Sequence, residues 1–145
     1  MKYLIACLGN PLMGDDGVGL LVAKELISEG LEVVTCGSDL SSVLAKLDDL
    51  DTLIIVDAVD WGAQPGSVIV AKLEDLEEAK FRVSHSLPAT EILKLMKKIF
   101  GKPSETYIIG VQPGRIEPSS ELTPQVRKAI REVTAKIKDM LAKIN

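Results

Sequence analysis

The sequence has few aromatic residues, two cysteines and a single histidine. Aromatic residues make up 3% of the 145 residues, so an apolar core has to be built from Val, Leu, Ile and Ala. Cys7 and Cys36 form neither a C-x-x-C pair nor a cluster, which disfavours a disulfide framework and a cysteine-rich metal site. We therefore expect two buried free thiols, as is typical of a cytoplasmic protein.

An excess of positive charge and a long apolar run are also missing. The formal net charge is −4, which disfavours nucleic-acid binding, although a local basic face on the last helix stays open. No apolar run reaches the roughly 18 residues that a membrane-spanning helix needs. The first apolar run is short and is followed at once by Gly9-Asn10-Pro11, so we expect a β-strand there and not a signal peptide.

Short apolar runs alternate with amphipathic segments along the chain. Short, nearly continuous apolar runs are typical of strands covered on both faces, and they occur at residues 2–8, 31–36, 52–57, 67–73 and 106–111. Apolar residues recur at helical spacing within residues 17–29, 41–50, 89–100 and from 124 onward. This order predicts one domain over residues 1–145, a three-layer α/β/α sandwich with a mostly parallel five-stranded sheet and helices on both faces.

Acidic or imidazole side chains lie at or after the ends of three predicted strands. Asp15 and Asp16 come after the first strand, Asp57 ends the third, and His85 lies in the loop between the fourth strand and the next helix. Ligands of open α/β sheets bind beyond the carboxyl ends of the strands. We therefore expect the segments that carry Asp15 and Asp16, Asp57 and His85 to meet at one edge of the sheet.

Each of these residues also has a structural explanation. Asp57 can cap a loop, but next to a core its carboxylate needs a partner or a cation. An isolated histidine is more often structural than a ligand, but His85 lies between two serines and not on an apolar face, and imidazole is the commonest metal ligand. A helix N-terminus favours negative charge, which explains one of Asp15 and Asp16 but not both. Two carboxylates and one imidazole with open positions suit a divalent transition metal.

The glycine-rich segment 9–19 offers a competing explanation, because phosphate-binding loops also follow a strand and open a helix. The segment matches neither G-x-G-x-x-G nor the P-loop pattern. Asp15 and Asp16 would also repel a phosphate. A small nucleotide- or phosphate-binding α/β enzyme is therefore the weaker alternative.

The ordered set of motifs resembles the hydrogenase maturation endopeptidases. Residues 9–19 (GNPLMGDDGVG) are similar to the family pattern G-N-x-L-x-x-D-D/E-x-x-G, and residues 54–58 to its apolar strand ending in D-A. Residues 84–88 resemble its histidine loop, and residues 110–113 with 122–124 its late G-x-x-P stretch. The resemblance spans nearly the whole chain in the right order.

This resemblance implies an endopeptidase that removes the C-terminal extension of a nickel–iron hydrogenase large-subunit precursor after nickel insertion. By position, Asp16, Asp57 and His85 would contact that nickel and act in catalysis. Many relatives have Glu at the first position, which leaves the choice between Asp15 and Asp16 open. We expect the nickel to arrive with the precursor, and we expect neither nucleic acid nor membrane insertion.

Two further questions stay open at this point. The nickel can polarise the scissile carbonyl or activate a water, or Asp16 or Asp57 can act as general base. A non-catalytic chaperone that binds nickel or the precursor on the same fold is the alternative function. The oligomeric state is not indicated by the sequence.

Overall fold

The computed structural model describes residues 2–37, 41–76, 82–83 and 87–144, with backbone alone for residues 41, 76, 82–83 and 87–92. Strands and helices alternate along these ranges as β1 (Tyr3–Leu8), α1 (Val18–Ser28), β2 (Val33–Cys36), α2 (Ser41–Leu44), β3 (Thr52–Asp60), β4 (Val68–Lys72), β5 (Arg82–Val83), α3 (Leu87–Phe100), β6 (Glu105–Val111) and α4 (Pro124–Ile144). Short 3-10 turns lie at Gly14–Gly17, Leu47–Asp49 and Leu73–Leu76.

The main sheet has five strands in the order β2-β1-β3-β6-β4. The pairs along β2, β1, β3 and β6 are parallel, and β4 is antiparallel to β6. The predicted mostly parallel five-stranded sheet is therefore confirmed. The two-residue strand β5 pairs antiparallel with the end of β3. It was not predicted, because two residues are too few to show a strand periodicity.

Alternate residues of the central strands point to opposite faces of the sheet. In β3, Ile54 and Val56 pack with α1 and α4 in one apolar cluster, whereas Leu53 and Ile55 pack with α2 and α3 in the other. Helices thus cover both faces, as predicted. The same alternation places Asp57 on the face covered by α2 and α3.

Strand β3 continues three residues beyond its predicted end at Asp57. Ala58 pairs with Val111 of β6, and Val59 pairs with Val83 of β5. Because both neighbours add backbone pairing and burial, the strand ends only at Asp60. Asp57 therefore lies inside a buried strand and not at its end.

The predicted helix at residues 41–50 is shorter than expected. Helix α2 ends at Leu44, and the chain continues as the 3-10 turn Leu47–Asp49. Asp48 and Asp49 would fall in the last turn of the longer helix, where the helix dipole disfavours negative charge. By contrast, α4 begins at Pro124 as predicted, because proline is pre-set for the first helical position.

The chain changes direction across the sheet between β1 and β3. After β1 the chain passes through α1 to β2 on one side, and after β3 it returns through α3 to β6 on the other. Because α1 and α3 cover opposite faces, the two connections diverge at the carboxyl ends of β1 and β3. Open α/β sheets bind their ligands at such a switch point.

Candidate active site

Helix α1 begins directly against the ends of β1 and β3. A Cβ on Gly19 would overlap the carbonyl oxygen of Leu8 and lie 3.0 Å from that of Val56. Only glycine permits this approach of helix to strands. The preceding turn Gly14–Gly17, which contains Asp16, contacts β3. The fold therefore brings the turn with Asp16 against the strand that carries Asp57.

Asp16 is fully buried, and the loop before it folds back to hold its carboxylate. Its Oδ2 accepts a hydrogen bond from the backbone N–H of Asn10 at 3.0 Å. The Oδ1 atom of Asn10 in turn accepts the backbone N–H of Leu12 at 3.0 Å. A Cβ on Gly9 (φ 151°) would overlap the carbonyl oxygen of Asp16. Glycine is therefore needed in this loop for close packing within the protein. The glycine-rich composition then no longer requires a phosphate-binding loop as its explanation.

Asp57 is also fully buried. It lies opposite Gly110 in the parallel pair of β3 and β6. Its Oδ1 accepts the backbone N–H of Ala58 at 2.8 Å. A carboxylate at this depth stays ionised only with hydrogen bonds, a counter-charge or a cation.

The carboxylate of Asp15, next to Asp16, is hydrogen-bonded to the segment between β6 and α4. Its Oδ2 accepts hydrogen bonds from the backbone N–H groups of Gly114 at 2.8 Å and Arg115 at 2.9 Å. Thr123 donates its hydroxyl to Oδ2 at 2.8 Å and its backbone N–H to Oδ1 at 2.7 Å. The side chain is fully buried, so Asp15 ties the loop after β1 to the segment between β6 and α4.

Gln112, directly after β6, holds the loop that follows β3. It is 6% exposed, and its Oε1 accepts the backbone N–H groups of Trp61 at 2.9 Å and Ala63 at 3.2 Å. Its Nε2 donates to Oδ1 of Asp60 at 3.0 Å and to the carbonyl of Pro113 at 3.3 Å. One amide thus fixes the course of the chain just beyond the strand that carries Asp57.

His85 lies outside the described residues, as do the serines on either side of it. Helix α3 begins at Leu87 and packs through Leu93 on the face toward which Asp57 points. Within the ranges that the structure describes, no three His, Cys, Asp or Glu side chains form a group that could hold a metal ion. The structure therefore positions two of the three predicted site residues, Asp16 and Asp57, and the role of His85 stays a prediction.

The two cysteines are free and buried, as predicted. Burial, followed by the neighbouring Cys36 and Asp57, raises the pKa of Cys7 to about 12. The thiolate is the nucleophilic form of cysteine. Because Cys7 is protonated at neutral pH, it is not a nucleophile for peptide cleavage.

Comparison with known proteins decides the class of enzyme. The family model HycI, hydrogenase maturation protease, matches residues 18–140. The chain belongs to the hydrogenase maturation protease family. This protease is 36% identical to protein FrxA of Pyrococcus furiosus, over 81% of this chain and 89% of that protein. It is 28% identical to the hydrogenase 3 maturation protease of Escherichia coli K12, over 92% and 86% of the two chains.

The architecture of the protease is also that of a solved family structure. The NiFe hydrogenase maturation protease HybD from Thermococcus kodakarensis superposes with a TM-score of 0.87 at 27% identity, covering 97% of this chain and 99% of that one. The expected activity, that of an endopeptidase, follows from this membership. None of the protease's described helices is long and apolar enough to cross a membrane.

The sequence analysis did not predict the hydrogen bonds that two residues near the candidate site, Asp15 and Gln112, make. Asp15 was considered only as an alternative to Asp16, and Gln112 only as one letter of a G-x-x-P stretch. Their partners lie far away in the chain, Thr123 for Asp15 and Asp60 for Gln112. The only available signal was two adjacent acids at a helix start, of which the helix dipole explains one.

Proposed function

We propose that this protease removes the C-terminal extension from the precursor of a nickel–iron hydrogenase large subunit once nickel has been inserted. Asp16, Asp57 and His85 recognise that nickel. The observation that supports this proposal most directly is the contact between the turn Gly14–Gly17 and β3 at the switch point of the sheet. It brings the chain segments of two buried acids together at the edge where ligands bind.

Within the first loop we assign the nickel contact to Asp16. The four hydrogen bonds of Asp15 occupy both of its carboxylate oxygens with groups of the protein itself. A metal at Asp15 would have to displace them. Asp16 accepts the backbone N–H of Asn10 at Oδ2 and lies in the turn that contacts β3.

Two carboxylates and an imidazole are a donor set that suits a divalent transition metal. Three side chains leave coordination positions open, so they complete the coordination of a nickel ion that the precursor already carries. Cleavage then requires that the metal be present, which makes the site a checkpoint for insertion. The nickel would supply Lewis-acid activation of the scissile carbonyl or of a water; alternatively, Asp16 or Asp57 would serve as general base.

We also propose the cytoplasm as the place of this reaction. The support is limited to the two free thiols Cys7 and Cys36, since cysteines that persist without pairing are typical of a reducing compartment.

Cleavage of a nickel-loaded precursor, followed by mass spectrometry, tests the proposal. We expect the mass of the extension to be lost only when nickel is present. Asp16→Asn, Asp57→Asn and His85→Ala should abolish that loss. Asp139→Asn serves as the control, because Asp139 is exposed on α4 and should leave cleavage at the wild-type rate.

Each contrary result removes a different part of the proposal. Equal cleavage of the nickel-free precursor would remove nickel recognition. Equal cleavage by His85→Ala would remove the role of the histidine. Binding of the precursor without any change of mass would favour the chaperone.

A further inference from the structure

Residues 110–115 contact the chain on both sides of the proposed site. Gly110 pairs with Asp57 in the parallel ladder of β3 and β6. Two residues later, Gln112 bonds the loop after β3. Two residues further, Gly114 donates its backbone N–H to Asp15, the neighbour of Asp16. The two proposed nickel contacts are thus held to one short piece of backbone.

The connection to the Asp16 side is made by the side chain of Asp15. Its carboxylate collects two backbone N–H groups at the end of segment 110–115 and two donors of Thr123. Backbone bonds reinforce the same contact, from Asp15 N–H to the Arg115 carbonyl at 2.9 Å and from Gly14 N–H to the Ser119 carbonyl at 2.8 Å. Since Asp16 follows Asp15 directly, a shift of this anchor moves Asp16.

The connection to the Asp57 side runs through the Gln112 amide. The backbone of Gln112 also takes part, because its carbonyl accepts the N–H of Gly66 at 2.9 Å and its N–H donates to the Ser67 carbonyl at 2.9 Å. The loop from Trp61 to Ser67 is therefore fixed at both ends by one residue. This loop continues the strand that carries Asp57.

We propose that Asp15 and Gln112 are positioning residues, which set the separation of Asp16 and Asp57 by anchoring both sides of the site to segment 110–115. The inference rests on the proposed function, because it concerns residues that contact nickel. Groups that orient metal ligands from behind affect metal affinity or activity by about 10- to 100-fold when they are removed. The same size of effect is expected here, with the nickel contacts themselves intact.

The test compares kcat/KM for the nickel-loaded precursor at a temperature where circular dichroism shows every variant folded. Asp15→Asn and Gln112→Ala should lower kcat/KM by about 10- to 100-fold. Thr123→Val, which removes one donor to Asp15, should lower it less, and Thr123→Ser, which keeps the hydroxyl, should restore the wild-type value. A purely structural role would not produce this rescue in activity.

Matched variants separate an effect on the position of the site residues from a loss of folding stability. Asp139→Asn and Thr134→Val change an Asp and a Thr within α4, the residue types of Asp15 and Thr123, and should keep the wild-type kcat/KM. Val133→Ala removes a buried contact of α4 and should lower the melting temperature with kcat/KM unchanged.

The outcomes distinguish this inference from the proposed function. If the wild type cuts the precursor and Asp15→Asn and Gln112→Ala cut it equally fast while folded, the positioning role is wrong and the proposed function stands. Val133→Ala shows how much kcat/KM changes when stability alone is lost. If Asp15→Asn and Gln112→Ala lose no more kcat/KM than a matching fall in melting temperature explains, the positioning role is also wrong. If the wild type does not cut at all, the proposed function fails and the inference with it.

Discussion

Gly19 lies against the carbonyl of Val56, and a Cβ at this position would be 3.0 Å from that oxygen. This contact joins the first turn of α1 to β3 one residue before Asp57. It determines how closely the loop with Asp16 approaches the strand. The spacing of the proposed site thus depends on the absence of a single methyl group.

Gly19→Ala should destabilise the protein by about 1–3 kcal/mol, the usual cost of overpacking a tight contact. The added Cβ overlaps the Leu8 carbonyl, and this outweighs the gain of up to about 1 kcal/mol in helix propensity. Urea unfolding of both proteins measures the difference. Gly37→Ala is the control, because nothing in the described part of the chain lies within 4 Å of a Cβ there. Equal stability of Gly19→Ala and the wild type would show that α1 can move away from β3 at no cost.

Exchange between Asp and Glu should distinguish the two adjacent acids. Asp16→Glu keeps the carboxylate that contacts nickel, so we expect it to retain part of the cleavage activity. Asp16→Asn removes the charge and should lower activity by more than about 100-fold, since even the loss of an outer partner costs 10- to 100-fold.

Asp15→Glu provides the comparison, measured by the same precursor assay. Its longer side chain displaces the oxygens that accept four hydrogen bonds, so it should lose stability together with activity. Higher activity in Asp15→Glu than in Asp16→Glu would exchange the roles of the two residues.

Cys7 should be inert in the folded protein. Its pKa of about 12, raised mainly by burial, keeps the thiol protonated, and thiols react as thiolates. We expect a thiol reagent at neutral pH to label neither Cys7 nor Cys36 until urea is added, when both react. Cys7→Ala should still cleave the precursor. Rapid labelling of Cys7 without urea, together with loss of cleavage, would point to a cysteine nucleophile.

Asp51 should make stability depend on pH in the acid range. A hydrogen bond from the Lys102 ammonium, followed by one from the backbone N–H of Lys2, lowers the pKa of Asp51. A carboxyl with a lowered folded-state pKa stabilises the fold above its unfolded pKa of about 3.9. This contribution is lost as the pH falls through the folded-state pKa.

Urea unfolding from neutral to strongly acidic pH measures this dependence. Asp51→Asn should be less stable than the wild type at neutral pH and equally stable in strong acid. Asp139→Asn, at an exposed position of α4, should show no such convergence. A constant difference between Asp51→Asn and the wild type at every pH would mean that the charge of Asp51 does not contribute.

Most of the sheet could be predicted because its strands are short apolar runs. β1, β3 and β6 are buried on both faces, which gives them a continuous apolar pattern that helices do not share. The extension of β3 to Asp60 could not be predicted, since it depends on pairing with β5 and β6. Such tertiary pairing leaves no trace in the local periodicity.

The location of the site could be predicted better than its internal connections. The rule that ligands bind beyond the strand ends pointed to the loop with Asp15 and Asp16 and to Asp57, and the family resemblance favoured Asp16 within that loop. The structure brings the segments of Asp16 and Asp57 together. The roles of Asp15 and Gln112 were not predictable, because side-chain hydrogen bonds between distant segments carry no sequence spacing. His85 stays a prediction on its loop position alone.

The anchor between the first loop and the last helix has a consequence for the order of synthesis. The Asp15 carboxylate accepts hydrogen bonds from Gly114, 99 positions later in the chain, and from Thr123, 108 positions later. While the ribosome is still translating the middle of the chain, the four hydrogen bonds to the Asp15 carboxylate cannot form. The anchor behind the proposed site is therefore completed only after Thr123 has been synthesised.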